Sequence, residues 1–565
     1  MGCSLARDDG LLIKPEPRKP WVYVAVAAGV LALLVAGFFA LGRSGKPAGG
    51  AMVPAPSQSR VAASAGQVPA IIIAVLPLAA DAAVADAAPP AFAEGSSEHL
   101  VDALKRGGDS EQTFNDGLSA QLAGALSQFA GVAVTSPESS FQQRDPKSLP
   151  ATIGKALGAT HLLQGSASRA GGSVRIDVAL VSVADGSTVW FERYQRPYVE
   201  LFKVQDELVA AIGSALKLER LPAPQGEQDE RPPGGKLDAY EALLAGDAAI
   251  KRGDADGVLS AIAGYERAIG LDAGYAHAHA RLAQARIALA TRFPAQAGDV
   301  RETGEKARRD AATALRLAPD SAEAHAANAA WLGSIALDPT GALAETERAL
   351  ALSPQDASLL HGLAIRQTAF GRLEEAAATL RRALQLNPLS ATALYNLGGI
   401  YLGMNDYAEA EHVLGQALAL RPDLSVVRAF QALAIFQQNR APEAIVVAGE
   451  EPDPLWKAYA LAMAYWANGQ RDRSDAELQV LIRDNPEGAA TQIAGIYAQR
   501  DDEAAMFKWL QVARDAGDPG IVEIRYMPFV SRYAEDPRFI ALLRELDLMQ
   551  DAPKAPTSTP ANAAR

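Results

Sequence analysis

The sequence holds a single cysteine, Cys3, so it can form no internal disulfide and no cysteine-based zinc site. Aromatic residues are scarce at 6% while alanine abounds, which favours helices that approach closely over a β-sandwich core. An excess of positive charge is missing as well. The 53 Lys and Arg against 66 Asp and Glu leave a net charge of -13, which repels a phosphate backbone and argues against a nucleic-acid partner. Signatures of catalysis are absent too. The GRSGKP string at 42–47 lacks the upstream glycine and the hydroxyl residue of a phosphate-binding loop, and no HExxH, G-x-S-x-G, HRD, DFG or GxGxxG occurs. His277 and His279 stand two apart, which on a helix sends them in different directions, so they share no metal. No catalytic, cofactor-binding or metal-ligating residue is expected, and no cofactor.

What is present begins with a long apolar run. Residues 21–41 read WVYVAVAAGVLALLVAGFFAL, without charge or proline. At about 1.5 Å per residue this run spans about 30 Å, the thickness of a bilayer core. Trp21 and Tyr23 sit where an interfacial belt would hold them. Lys14, Arg18 and Lys19 precede the run, and Arg43 and Lys46 follow it. That bias predicts a single-pass anchor in the cytoplasmic (inner) membrane, with a short inside tail at 1–20 and the bulk on the periplasmic or exported side. A cleaved signal peptide would carry a shorter apolar stretch, roughly 7–15 residues, and a small-x-small site. The MGCSLA start has Ala6 where a myristoylation signal has Ser or Thr, and Cys3 follows no lipobox.

Gly, Pro, Ser and Ala dominate 42–70, which reads as a flexible stalk. A second break, LPAPQGEQDERPPGG, lies in a linker at 219–236, and a Pro- and Ala-rich tail at 549–565 reads as disordered. Two folded blocks remain, 71–218 and 237–548. In the first, AIIIAVLPL and VAVTSP read as strands, and GLSAQLAGALSQF and PATIGKALGA as helices. The stretch HLLQGSASRAGGSVRIDVALVSVADGSTVWFERYQRP reads as three strands with turns at Gly171-Gly172 and Asp185-Gly186. Val174, Ile176, Val178, Leu180 and Val181 should face unevenly inward, and YVELFKVQDELVAAIGSALKL closes the block as an amphipathic helix. Together with FNDGLSAQLAGAL and SSF at 139–141, these strings resemble the TolB-N-terminal-like (FlgO-like) domain of bacterial membrane proteins. The resemblance implies a setting after a membrane helix and before a repeat array, as in CadC-like regulators and cyclase-like proteins. It implies no catalytic residue.

The second block repeats. Pro319, Pro354, Pro388 and Pro422 end successive helical segments at spacings of 35, 34 and 34 residues. This period, with small residues at fixed offsets, is the signature of the tetratricopeptide repeat (TPR). Leu394, Leu397, Gly398, Tyr401, Ala410, Leu414, Ala417 and Pro422 mark the clearest copy, and Leu360, Leu363, Ala376, Leu380, Ala383 and Pro388 the one before it. Weaker copies, one with an insertion near RFPAQAGDVRETG and one degenerate after Pro422, extend the array to about seven or eight hairpins. The C-terminal strings resemble the cap of such arrays. The expected fold is therefore α+β overall: a single transmembrane helix, a small α/β domain, then an α-α TPR solenoid.

In a TPR solenoid the first helix of each hairpin lines the concave face. Counting from the prolines places Trp331, His361, Ile365, Tyr395, Leu402, Phe436, Trp456, Tyr459, Met463 and Trp466 there. Packed core is the alternative for these aromatics, with Trp331 and Tyr395 assigned to the groove and Trp466 to the core. The groove lacks the lysines of the TPRs that clamp acidic C-termini. The expected function is a membrane-anchored, non-enzymatic scaffold that binds a protein or peptide partner on the exported side, with residues 21–41 in the lipid bilayer. The alternative is a sensory subunit of a transmembrane signalling system whose effector is encoded separately, or whose effector head was lost through start-codon choice. The twenty residues before Trp21 hold no winged helix.

Overall fold

The computed structural model describes residues 71–80, 97–144, 148–220 and 231–549. The expected inside tail, membrane run and stalk (1–70), most of the linker and nearly all of the C-terminal tail lie outside these residues.

A β-branched run makes β1 (Ile71–Val75) an inner strand of a small sheet. It lies parallel between β3 (Val132–Thr135) and β4 (His161–Ala170), and the short β2 (Ala79–Ala80) also pairs with β4. Beyond β4 the sheet turns antiparallel through β5 (Ser173–Ser182) and β6 (Thr188–Pro197), giving the order β3-β1-β4-β5-β6. Both expected turns are present. Gly171 and Gly172 adopt φ of 57° and 77°, the backbone that a tight hairpin needs. Val174, Ile176, Val178 and Leu180 are fully buried on one face, and Val181 is buried on the other, opposite Leu162 of the second core cluster. One face of the sheet is covered by α1 (Ser97–Leu126) and α4 (Leu201–Ala215), through Phe114, Leu118, Leu122, Val204, Leu208 and Ile212. The single turn α2 (Pro137–Ser140) follows β3, and α3 (Pro150–Leu157) closes the other face with Ile153 and Leu157.

Antiparallel helix pairs fill the rest of the chain. In order they are α5 (Leu237–Ile250) with α6 (Ala255–Leu271), α7 (Ala276–Arg292) with α8 (Val300–Leu317), and α9 (Ala322–Trp331) with α10 (Pro339–Leu352). Next come α11 (Ala357–Ala369) with α12 (Leu373–Leu386) and α13 (Ala391–Gly403) with α14 (Tyr407–Leu420). The series ends with α15 (Val427–Gln437) and α16 (Ala441–Gly449), α17 (Pro454–Ala467) and α18 (Arg471–Asp484), and α19 (Ala490–Gln499) and α20 (Glu503–Ala516). A last helix, α21 (Pro537–Glu545), follows. Ser321, Asp356, Ser390 and Asp453 start four of the first helices by accepting backbone N–H groups. Small residues set the pair spacing: a Cβ on Gly398 would stand 2.5 Å from Leu414 Cγ.

The degenerate copy is α15 and α16. Val426, just before α15, holds φ of 77° and has no side-chain oxygen to cap the helix. Buried Glu451 supplies the missing acceptor from the following loop, taking Val426 N–H at 2.9 Å and Ala429 N–H at 3.3 Å.

Among the described residues, two sets of contacts anchor the sheet unit on the helical array. Tyr240 and Leu244 of α5 share the sheet's core, and Tyr240 Oη donates to Gln121 Oε1 of α1 at 2.7 Å. Gly117 lets α5 approach, since a Cβ there would meet Leu244 Cδ2 at 2.4 Å. Farther along, α2 docks on the turn between α12 and α13. Ser139 Oγ donates to Asn387 Oδ1 at 2.5 Å, Leu389 N–H donates to Ser139 Oγ at 2.9 Å, and Asn387 Nδ2 donates to Glu138.

The expected fold class needs correction. The described chain is mostly helical with one small sheet, because the paired helices far outnumber the strands. No helix among the described residues is long and apolar enough to cross a membrane. The longest, α1, carries Glu98, Asp102, Lys105, Arg106 and Asp109 in its first half. The run at 21–41, on which the transmembrane expectation rested, lies outside the described residues.

Burial pushes the Glu138 carboxyl up from 4.5 to about 7, against the opposing hydrogen bond from Asn387. The folded state then holds this proton longer than the unfolded state, so the contribution falls as pH rises from about 4.5 through about 7. Glu138→Gln should flatten that part of the stability profile, leaving the variant level with the parent near pH 4 and more stable near pH 8. Urea unfolding across pH checks this; an unchanged slope would mean that Glu138 is not protonated in the docked turn.

Candidate functional site

The first helices α7, α9, α11, α13, α15, α17 and α19 belong to successive pairs, and neighbours among them touch. Four rings form a ladder across three of these helices. Tyr395 of α13 meets Phe430 of α15 edge-on at 5.3 Å, Phe430 meets Trp456 of α17 at 5.7 Å, and Trp456 meets Tyr459 at 5.9 Å. Sequence reasoning named Tyr395, Trp456 and Tyr459 but missed Phe430. It lies in the degenerate copy, whose first helix begins only at Val427 after the left-handed Val426, so a ruler laid from Pro422 does not mark it.

The other expected residues divide. Leu402, Phe436 and Met463 are buried, as are Trp456 and Tyr459. Trp331, His361, Ile365 and Tyr395 are half-buried and keep part of their surface accessible. Trp331 ends α9 and stands apart from the ladder, its indole N–H donating to the Gly304 carbonyl at 3.1 Å. His361 Nε2 lies 2.7 Å from Asn396 Nδ2, and burial lowers its pKa to about 4, so the ring is neutral at pH 7. Trp466, also half-buried, is held between the Arg471 and Arg500 guanidiniums at 4.6 and 4.7 Å. Near Trp331 the Arg366 guanidinium donates to the Ala329 and Gly362 carbonyls at 3.1 and 3.3 Å. Burial lowers its pKa to about 10, which still leaves it charged.

The ladder is not open. After α20 the chain folds back along the first helices through two 3₁₀ turns, Pro519–Glu523 and Ser531–Tyr533. Phe529 stacks on Phe436 with centroids 6.3 Å apart and planes 11° from parallel. Glycines shape the seat. A Cβ on Gly495 of α19 would meet Met527 Cε at 2.5 Å, and one on Gly403 of α13 would meet Tyr526 Cβ at 3.0 Å. Glu523 lies among Tyr395, Tyr459 and Tyr526, and each tyrosine is shifted upward partly by its charge. No signal in the sequence announces this return, because 3₁₀ turns carry neither the helical nor the strand period.

Comparison with known proteins finds several similarities. Residues 367–434 match the tetratricopeptide repeat family model. A curated relative from Rhizobium meliloti (strain 1021), named "Putative adenylate cyclase 3", is 34% identical over 178 residues. That match covers 31% of this chain and 30% of the relative, so the chain spans under a third of that protein's length. Among solved structures, PilF of Pseudomonas aeruginosa is 23% identical and covers 38% of this chain and 97% of its own, with a TM-score of 0.31. Yeast Tom70 is 14% identical over 55% of this chain and 67% of its own, with a TM-score of 0.33. The chain carries tetratricopeptide repeats.

Phe430→Ala removes the ring that joins Tyr395 to Trp456. The expected cost is about 3 kcal/mol in urea unfolding, with a red shift in tryptophan emission as Trp456 loses its neighbour. A loss under about 0.5 kcal/mol, the ordinary range for a surface change, would show that the ladder contributes no packing.

Proposed function

We propose that this tetratricopeptide-repeat chain is a non-catalytic scaffold that holds a protein or peptide partner against the first helices of its array. The carrying observation is that Trp331, His361 and Ile365, on the neighbouring first helices α9 and α11, stay partly accessible while the pairs those helices belong to already have packed cores. Partly accessible aromatic and aliphatic anchors on a rigid face suit an extended or helical peptide. The sheet unit, which resembles a TolB-N-terminal-like domain, serves as a second docking surface or as a spacer. A site of action on the exported side of the cytoplasmic membrane, with residues 21–41 against lipid, is the companion proposal. It is supported by the uncharged run and its flanking charges alone.

A second reading is a signalling subunit that works with a separately encoded effector, and the similarity to a relative named as an adenylate cyclase favours it. The two readings differ in which partner is held. A photo-crosslinking residue in place of Ile365 should give a discrete protein adduct in cells, absent when the same residue replaces Val446, which is 63% exposed on the second helix of its pair. Identification of that adduct as a kinase or cyclase would select the signalling reading. Identical adduct patterns from both positions would contradict the scaffold. Purified chain given ATP and Mg²⁺ should form no cyclic AMP, and turnover abolished by one point substitution would replace the scaffold with an enzyme.

A further inference from the structure

The segment that returns along the first helices is built like a bound peptide. The backbone–backbone hydrogen bonds of residues 521–533 are local and none reaches a helix of the array: Ile521 bonds to Asp518, Ile524 to Ile521, Tyr526 and Met527 to Glu523, Ser531 to Met527, and Tyr533 to Val530, while Ala534 and Asp536 bond back to Ser531 and Tyr533. Its hold on the array comes from side chains. Ile521, Ile524, Met527 and Val530 are all buried, at a spacing of three. Ile521 lies in the first 3₁₀ turn and Ile524, Met527 and Val530 in the turns that follow, so the segment offers the array a buried apolar side chain at every third residue. The segment enters gaps that glycines leave: Met527 sits against Gly495, and Tyr526 against Gly403. Phe529 adds the ring stack on Phe436.

The seat also carries costs. Phe529 holds φ of 66°, a left-handed backbone that is strained for any residue but glycine. Glu523 is carried in without a cation among its influences, and burial, reinforced by Asp518, pushes its carboxyl up to about 7. Its other titratable neighbours are Tyr395, Tyr459 and Tyr526, with Glu451 also acting on Tyr395. A carboxyl whose seated value is about 7 and whose free value is 4.5 favours seating at low pH, and seating weakens as pH rises through that window.

We propose that residues 519–530 are a resident occupant of the aromatic ladder, and that the ladder's external ligand is a short peptide with apolar residues at every third position, which binds by displacing them. The proposal rests on the scaffold reading, and its segment also touches α11; its test reads binding of this chain's own peptide, whereas the Ile365 crosslink reads a partner in cells, so the two can fail separately. The resident segment is covalently tethered and so competes at an effective concentration in the millimolar range. An external peptide therefore meets a closed site until the tether's hold is weakened.

The probe is a fluorescein-labelled peptide of this chain's own residues 518–533, added to the full chain. Met527→Ala with Phe529→Ala, which weakens the resident segment, should raise its affinity at least ten-fold over the parent. Adding Gly495→Leu, which fills the Met527 seat, should abolish that gain. A double variant that unfolds cooperatively like the parent yet binds no peptide would overturn the proposal, as would binding indifferent to Gly495→Leu. Hydrogen exchange on the unaltered chain gives an independent reading that needs no variant. Amides 524–531 should open locally, faster than those of α13 and α17, and faster still at pH 8 than at pH 6 after correction for intrinsic rates. Exchange of these amides only through global unfolding would show that the segment is fixed core.

Discussion

Close approach of two helices within each repeat is the constraint on which the rest depends. Gly398 against Leu414, and Gly246 against the Tyr265 ring, leave no room for a Cβ, so each pair closes on small residues and few large ones. Alanines at 364, 376, 383, 410 and 417 do the same along the array, all of them almost fully buried. A single pair packed this way has too little apolar area to stand alone, so successive pairs must stack. Stacking brings the first helices side by side, and that shared face is where larger rings can be placed.

The sheet unit is tied to the array at separated points. Its core continues into α5 through Tyr240 and Leu244, and its α2 turn clasps the α12–α13 turn through Ser139 and Asn387. These attachments lie well apart along the array, one at its first helix and one after its eighth. Relative movement of the unit against the helices would have to break the polar clasp or split an apolar core. The sheet unit thus acts as a brace on the array as well as a surface of its own.

Much of this was legible from residue order. The proline spacing located the pairs, the Leu394 to Pro422 anchors located their contacts, and alternation in VRIDVALVSV located a half-covered strand. Other features depend on partners far apart in sequence. Glu451 caps a helix that begins before it in the chain, Ser139 meets Asn387 across the fold, and Tyr526 packs on Gly403 of α13, more than a hundred residues earlier. No local period encodes such contacts. Phe430 escaped for a related reason, since the displaced start of α15 breaks the register from which inward positions are counted. The overall class also shifted, from α+β with a membrane helix to a mostly helical chain with one small sheet, because the described helices are numerous and amphipathic rather than long and apolar.

The central claim is that the first-helix face of the array is where another polypeptide is held. A hydrogen-exchange footprint tests it most directly, comparing the chain recovered from its own cells with its partners attached and the same chain stripped of them. The account predicts changes in protection confined to the first helices α9 to α19 and to residues 519–530. Changes confined to the second helices or to the sheet unit would contradict it.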